Sequence, residues 1–359
     1  MNLLEEVRPG ANRYISGAGV LEQLEDLLRP FNKVVVITGE ISYQVFQNYY
    51  KGDFNYPVHL YDGSASDEDG ERLAAEIKTA DIVVAIGGGR LLDTAKLATE
   101  ILGCELIMIP TLISNCAPYA PIVAVYTQAE HQFKRIGATT KSGYVSLVDW
   151  EFLLVTPRDY LIAGIGDTLA KWYEIEGITR RLSDAKKTAQ VRLGIAVAKE
   201  VLEILQADGQ LALAALEKQQ VTPEFGRIAD TIIALAGGVG GFAGKYGRIA
   251  GAHAIHNGLS LIPDTHAVLH GNKVAYGVLV QLAYTGDVDE ITNLLPLYRK
   301  LTLPTCLAEI NIITFDHDQL MAVAEFASSD IESFRQIDPE VTADGILQAV
   351  EKLEGFVKN

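Results

Sequence analysis

The sequence predicts an α/β domain followed by an all-helical one, and three observations predict it. Short runs of β-branched residues, Lys33-Val-Val-Val-Ile-Thr-Gly39 and Asp81-Ile-Val-Val-Ala-Ile86, read as strands buried on both faces. These runs alternate with helical periodicities, the pattern of βαβ units wound into a parallel sheet. Beyond Pro157 no convincing strand follows, and helical patterns take over. The 359 residues therefore divide into an α/β half, 1–156, and a helical half, 157–359.

In chain order, Val20 to Leu28 reads as a helix with Leu21, Leu24, Leu27 and Leu28 on its apolar face. The strand at 33–39 leads to a helix over Ile41 to Tyr50 and a short strand over Val58 to Tyr61. The acidic run Asp67 to Glu71 opens a helix ending near Thr79, with carboxylates at its positive end. The strand at 81–86 runs into Gly87-Gly88-Gly89 and a helix to about Leu102. Leu106 to Pro110 and Ile122 to Tyr126 are further strands. The second half predicts helices over Tyr160–Leu182, Ala185–Gln206, Gln210–Lys218 and Phe225–Leu235. The glycines of Gly237-Gly238-Val-Gly240-Gly241 mark a break or a close helix approach, and helices near Asp318–Ser328 and Ala343–Phe356 end the chain.

Hydrophobic content of 48% with 21% charged residues describes an ordinary soluble protein with ample core. The net charge of −16, without a basic patch, argues against a nucleic-acid partner. The sequence pI of about 4.9 fits a cytoplasmic protein. The acidic start Met1-Asn-Leu-Leu-Glu-Glu6 resembles neither a signal nor a transit peptide, and no run of eighteen uninterrupted apolar residues predicts a membrane span. Cys104, Cys116 and Cys306 are odd in number and far apart, which excludes a disulfide framework or thiolate zinc cluster and suits a reducing compartment.

Two stretches carry chemistry. Four of the seven histidines fall between His253 and His270. His253 and His256 share a helix face by their spacing, and His270 follows a Pro-Asp break. Such histidines cap helices or fill cores, or hold a metal if a carboxylate joins them. The triglycine stands in a strand-to-helix turn, where backbone N–H groups and the helix dipole can hold a pyrophosphate. Its spacing is neither G-x-G-x-x-G nor a P-loop, and alone it is a tight turn.

The phrase G-G-G-R-L-L-D-T-A-K ending at Lys96, the chain order and the histidines together resemble the iron-containing (group III) alcohol dehydrogenases. The resemblance is to the glycerol dehydrogenase-like branch, closest to its hydroxycarboxylate dehydrogenases. It implies a dinucleotide-binding α/β domain and an all-α metal-binding domain, the dehydroquinate synthase-like fold. It implies a nicotinamide cofactor held by Gly87, Gly88, Gly89 and Asp93, by Thr111 and Ser114 of Pro110-Thr111-Leu-Ile-Ser114, and by Tyr126 downstream. It implies metal ligands at Asp167, within Gly164-Ile-Gly166-Asp167, and at His253 and His270. His256 is then a proton relay or a hydrogen-bonding support, and His266 a bystander. Two imidazoles and a carboxylate leave coordination positions open for substrate. Zn²⁺ is the expected ion; Fe²⁺, Ni²⁺ and Co²⁺ suit the same set. No G-x-S-x-G elbow suggests a covalent nucleophile.

The chain departs from the family pattern at three places. Glycerol dehydrogenases carry an aspartate near the polyol where this chain has Cys116, in Ser114-Asn115-Cys116-Ala117-Pro118. Cys116 is either a reactive thiol or a small neutral residue that makes room. Many iron-using relatives have a histidine four residues after the metal aspartate, where this chain has Lys171. Lys171 shares a helix face with Asp167, as a substrate cation, an ion-pair partner or a solvated lysine. NAD-preferring relatives have an aspartate for the ribose hydroxyls at the end of the first strand, where this chain has Gly39. That loss admits NADP, and the adjacent Glu40 argues for NAD. A lost carboxylate and a gained ammonium favour a 2-hydroxy acid/2-oxo acid pair over glycerol and dihydroxyacetone. Two other classes remain open: a lyase like dehydroquinate synthase, for which no extra basic cluster is seen, and a non-catalytic nucleotide sensor, which has no need of an open metal site. Partners beyond a small-molecule substrate and further copies in a homo-oligomer are not expected.

Overall fold

The computed structural model describes residues 7–129 and 132–357. They form two compact units, one of Arg8–Arg158 with Ala212–Gly238, the other of Asp159–Leu211 with the described residues from Val239 onward. The first unit is thus built from two stretches of the chain.

The first unit holds strands β1 (Arg13–Gly17), β2 (Val34–Thr38), β3 (Val58–Leu60), β4 (Ile82–Gly87), β5 (Glu105–Pro110), β6 (Ile122–Tyr126), β7 (Phe133–Ala138) and β8 (Val145–Asp149). Six form a fully parallel sheet in the order β1-β8-β5-β4-β2-β3. The helices between its strands are α1 (Leu24–Leu28), α2 (Glu40–Tyr49), α3 (Asp67–Ile77) and α4 (Gly89–Leu102). Side chains alternate between the two faces, as strand geometry requires. Val34, Val36, Ile82, Val84 and Ile86 pack with Leu24 of α1 and Phe46 of α2 on one face. Val35, Ile37, Val83 and Ala85 pack with Leu73 and Ile77 of α3 and Leu91 and Leu92 of α4 on the other. Both faces are covered, which is why these strands read as continuous apolar runs.

The chain leaves β2 through α2 toward β3 on one side, and leaves neighbouring β4 through α4 toward β5 on the other. Such divergence at the carboxyl ends of adjacent parallel strands opens a crevice, the usual ligand position in this architecture. Gly39 and the triglycine both lie there.

Several expectations change. Ile122–Tyr126 is a strand, but outside the main sheet: β6 pairs antiparallel with β7 as a separate hairpin. Val20–Leu28 divides into a 3-10 turn, Val20–Gln23, and α1. Strands β1, β7 and β8 were not expected.

The helical elements are α5 (Arg158–Thr179), α6 (Ala189–Glu217), α7 (Pro223–Asp230), α8 (Ala236–Ala243), α9 (Gly251–Leu259), α10 (His270–Thr285), α11 (Val288–Leu301), α12 (His317–Ser328) and α13 (Ala343–Val357). No strand among the described residues follows β8. The two helices expected over 185–206 and 210–218 are one, α6. The glycines at 237–241 do not break the chain: a π turn, Thr231–Leu235, carries α7 directly into α8. The run Pro223–Gly247 is long and apolar enough to cross a membrane by length and composition, but 61% of its window is buried inside the protein, the mark of a core helix.

Within the second unit, α9 packs on α10 and α12, and α10 on α13. Contact between α5 and α10 is set by two glycines. A Cβ on Gly166 of α5 would stand 2.7 Å from the Gly271 carbonyl oxygen. A Cβ on Gly271 of α10 would stand 2.5 Å from the Ala163 carbonyl carbon, and closer still to its oxygen. Only glycine permits two helix backbones to touch so closely. Gln281, almost fully buried on α10, completes the junction: its Nε2 donates to the Tyr173 carbonyl of α5 and its Oε1 accepts from Ala252 N of α9.

Candidate metal centre and cofactor crevice

The α5–α9–α10 junction brings Asp167, His253 and His270 together. His270 Nε2 stands 3.1 Å and His253 Nε2 3.4 Å from Asp167 Oδ1. One ligand atom from each residue lies within 4.8 Å of the others. Asp167 and His253 are buried and His270 is exposed, so the cluster is closed on one side and reachable on the other. Two imidazole nitrogens and a carboxylate oxygen facing one point are the donor set of a divalent-ion site with open positions.

The opposite edge of each ring supports that reading. His253 Nδ1 lies 2.9 Å from Glu174 Oε2, and His270 Nδ1 lies 2.9 Å from His256 Nε2. Both rings thus use Nδ1 for a protein partner and turn Nε2 to the shared point, as metal-binding histidines do. Glu174 Oε1 also accepts from Ala250 N at 2.6 Å and His253 N at 3.0 Å. One buried carboxylate therefore caps the amino end of α9 and orients the histidine on it.

The charges agree with the geometry. Burial alone would favour neutral Asp167, but hydrogen bonds from His253 and His270 outweigh it and hold the carboxyl well below its usual range. Burial also opposes ionised Glu174, and the charge and hydrogen bonds of His253 overcome it and lower its pKa. Burial disfavours the His253 cation, yet Glu174 and Asp167 lift its pKa to about 9. Burial, with His270 and Lys273 as neighbours, keeps His256 well below the usual histidine range, so it is neutral at neutral pH.

Glu174, Asn257 and Glu332 are the residues that sequence reasoning missed. The signal for Glu174 was its place seven residues after Asp167, two helical turns along the same face. Lys171 is buried, and its Nζ donates to the Arg248 carbonyl at 3.0 Å. Its charge acts on Glu174 and His253. His266 is exposed, with Nε2 3.0 Å from the Ser260 carbonyl oxygen.

In the first unit, Gly87 ends β4, Gly88 is extended at φ −83°, and Gly89 begins α4. The first N–H groups of a helix have no partner inside it, and here they open on the crevice beside β2. A Cβ on Gly89 would stand 2.6 Å from Asn115 Nδ2, so the loop 111–118 closes over the turn. Thr111 N donates to the Gly87 carbonyl, which joins the two segments, and Ser114 Oγ lies 3.4 Å from Asn115 Nδ2. Gly39 caps α2, its N–H donating to Ser42 Oγ, and a Cβ there would meet the Tyr61 ring at 2.9 Å. The Arg90 guanidinium stands 5.4 Å from the centre of the Tyr126 ring.

Asp93 lies on α4, one turn after the triglycine. It is buried, with Oδ1 accepting from Lys96 Nζ and Oδ2 from Ala124 N, while Lys96 Nζ also donates to the Ile122 carbonyl. It clasps α4 to β6, because a buried carboxylate needs its partners within the fold. Cys116 is half-buried in the same loop, where its carbonyl accepts from Tyr119 N and Ala120 N.

Residues 11–150 match the family described as iron-containing alcohol dehydrogenase. Hydroxycarboxylate dehydrogenase A of Escherichia coli K12 is 35% identical over 353 residues, 97% of either chain. A glycerol dehydrogenase of Thermotoga maritima is 34% identical over 355 residues, 96% of this chain and 95% of its own. The crystal structure of a probable glycerol dehydrogenase from Sinorhizobium meliloti superposes with a TM-score of 0.88 at 26% identity, covering 98% of this chain and 99% of that one. With a doubly wound sheet, a helical unit and an Asp-His-His cluster in that order, the chain belongs to the iron-containing alcohol dehydrogenase family and is a dehydrogenase.

Proposed function

We propose that the protein interconverts a small 2-hydroxy acid and its 2-oxo acid with NAD or NADP, using one divalent ion, Zn²⁺ first among candidates, held by Asp167, His253 and His270. The observation that carries the reading is Lys171, a buried cation one helical turn from Asp167. Lys171 adds a positive charge beside Asp167 and Glu174, which favours a carboxylate substrate over a neutral one. Cys116, where glycerol dehydrogenases carry an aspartate, removes an opposing charge. The name of the relative from Escherichia coli supports the same class.

The ion would supply Lewis-acid polarisation of the substrate C–O bond, and the nicotinamide the hydride exchange. The residues of the chain hold and orient. Glu174 fixes His253, His256 supports His270, and the exposed edge of His270 leaves a path for substrate. Gly87 to Gly89, Thr111, Ser114 and Tyr126 line the cofactor crevice in this reading. Gly39 leaves room for a ribose 2′-phosphate, and Glu40 next to it opposes one, so both nicotinamides belong in the assay.

Lys171→Thr tests the substrate class. With metal-loaded enzyme, kcat/KM for 2-oxo acids is expected to fall about tenfold or more, the worth of one charge-assisted contact, while dihydroxyacetone changes little. An equal loss on both substrates would remove the carboxylate argument and leave the vicinal-diol reading suggested by the names of the other two relatives. Net NADH consumption with a simple 2-oxo acid would also exclude a lyase that uses its nicotinamide only transiently.

A further inference from the structure

The histidine pair is not the end of its hydrogen-bond chain. His256 Nδ1 lies 3.0 Å from Asn257 Oδ1. Asn257 Nδ2 in turn donates to both oxygens of Glu332, at 3.1 and 3.2 Å. Glu332 precedes the 3-10 turn Ser333–Gln336, which is pinned to the start of α9 where Ser333 Oγ donates to the Ala250 carbonyl at 2.7 Å. The carboxylate is therefore placed by the fold and not by a flexible loop.

The order of donors along this chain follows from chemistry. An ionised carboxylate only accepts, so Glu332 must face the amide NH₂ of Asn257. That turns the amide oxygen to His256 and makes His256 Nδ1 the donor. A neutral imidazole carries one N–H, so His256 Nε2 is then a bare lone pair. It accepts from His270 Nδ1–H, so once His270 gives up the proton that its Nε2 shares with Asp167, the neutral ring has Nε2 bare for an ion. Each link permits one arrangement of the next.

We propose that Glu332 is a positioning residue for the metal centre: acting through Asn257 and His256, it fixes the tautomer in which His270 can bind an ion through Nε2. Glu174 does the same for His253 directly, so two carboxylates set two histidines, one at first hand and one three links away. The inference rests on Asp167, His253 and His270 forming a metal site.

The test uses full-length protein stripped of metal and titrated with Zn²⁺ against a chromophoric chelator. Glu332→Leu is expected to weaken Zn²⁺ binding about tenfold, in the range for outer hydrogen-bond partners of metal ligands. The double variant Asn257→Asp with Glu332→Gln should restore it, because an aspartate at 257 still accepts from His256 Nδ1–H and a glutamine at 332 now donates to it. Restoration excludes a general packing defect as the cause. In ¹⁵N-imidazole spectra of the zinc-loaded wild type, His256 should show a protonated Nδ1 and a bare Nε2, and Glu332→Leu should disturb that pattern. Wild-type affinity in Glu332→Leu, or a protonated Nε2 on His256 in the wild type, overturns the proposal. If Asp167→Asn abolishes zinc uptake while Glu332→Leu leaves it intact, the relay fails and the metal site stands. If the wild type takes up no divalent ion, both fail.

Discussion

Gly271→Ala is expected to lower the unfolding free energy by about 3 kcal/mol or more and to cost the protein its tight metal binding. The added methyl would fall on the Ala163 peptide of α5, and a backbone cannot rotate away as a side chain can. Relief comes only from moving α10 off α5. Asp167 follows Ala163 by one turn and His270 precedes Gly271, so the movement separates two of the three proposed ligands. Interiors are packed too densely to absorb such a shift locally. Gly355→Ala is the matched control, since among the described residues no heavy atom outside its own stretch of α13 stands within 4 Å of its Cβ position. There alanine should be neutral or stabilising by up to about 1 kcal/mol, from its better helix propensity. Chemical denaturation of both variants, with and without added divalent ion, checks the pair. Equal stability of the two would mean that the glycine contact does not set the junction.

Glu174→Gln should weaken metal binding by about 10- to 100-fold while leaving the side-chain volume unchanged. The carboxylate accepts from three donors, Ala250 N, His253 N and His253 Nδ1. A glutamine has one oxygen and cannot satisfy them all. With its NH₂ toward His253, the imidazole must move its proton to Nε2, the nitrogen that faces Asp167. With its oxygen toward His253, the amino end of α9 loses its cap, a cost of about 1–2 kcal/mol. Metal affinity and denaturation midpoints, measured together, distinguish the two outcomes. An unchanged affinity would show that Glu174 is only a helix cap.

Much of this was legible in the chain. β2 and β4 are four or five β-branched or apolar residues in a row, a pattern that only a doubly covered strand tolerates. β1 and β7 were hidden because Arg13–Gly17 is only partly buried and Phe133–Ala138 is largely exposed. β6 was visible, but its partner was not, since strand pairing is decided outside the segment. Gly237 to Gly241 read as a break because glycine disfavours helix by itself. The helix forms there because small residues are needed: a Cβ on Gly240 would stand 3.3 Å from the Gly247 carbonyl oxygen. The Asp167, His253 and His270 cluster was reached through resemblance, and the fold brings its atoms together. Asn257 and Glu332 gave no signal, being 75 residues apart with no periodicity to join them.

The most direct measurement follows NADH and NADPH oxidation by the purified protein with 2-oxo acids and with dihydroxyacetone, before chelation, after it, and after a divalent ion is restored. The account predicts turnover of a 2-oxo acid that disappears with the metal, returns with Zn²⁺ or another divalent ion, and exceeds turnover of dihydroxyacetone. Turnover that persists in excess chelator, or that occurs with dihydroxyacetone and no 2-oxo acid, would contradict it.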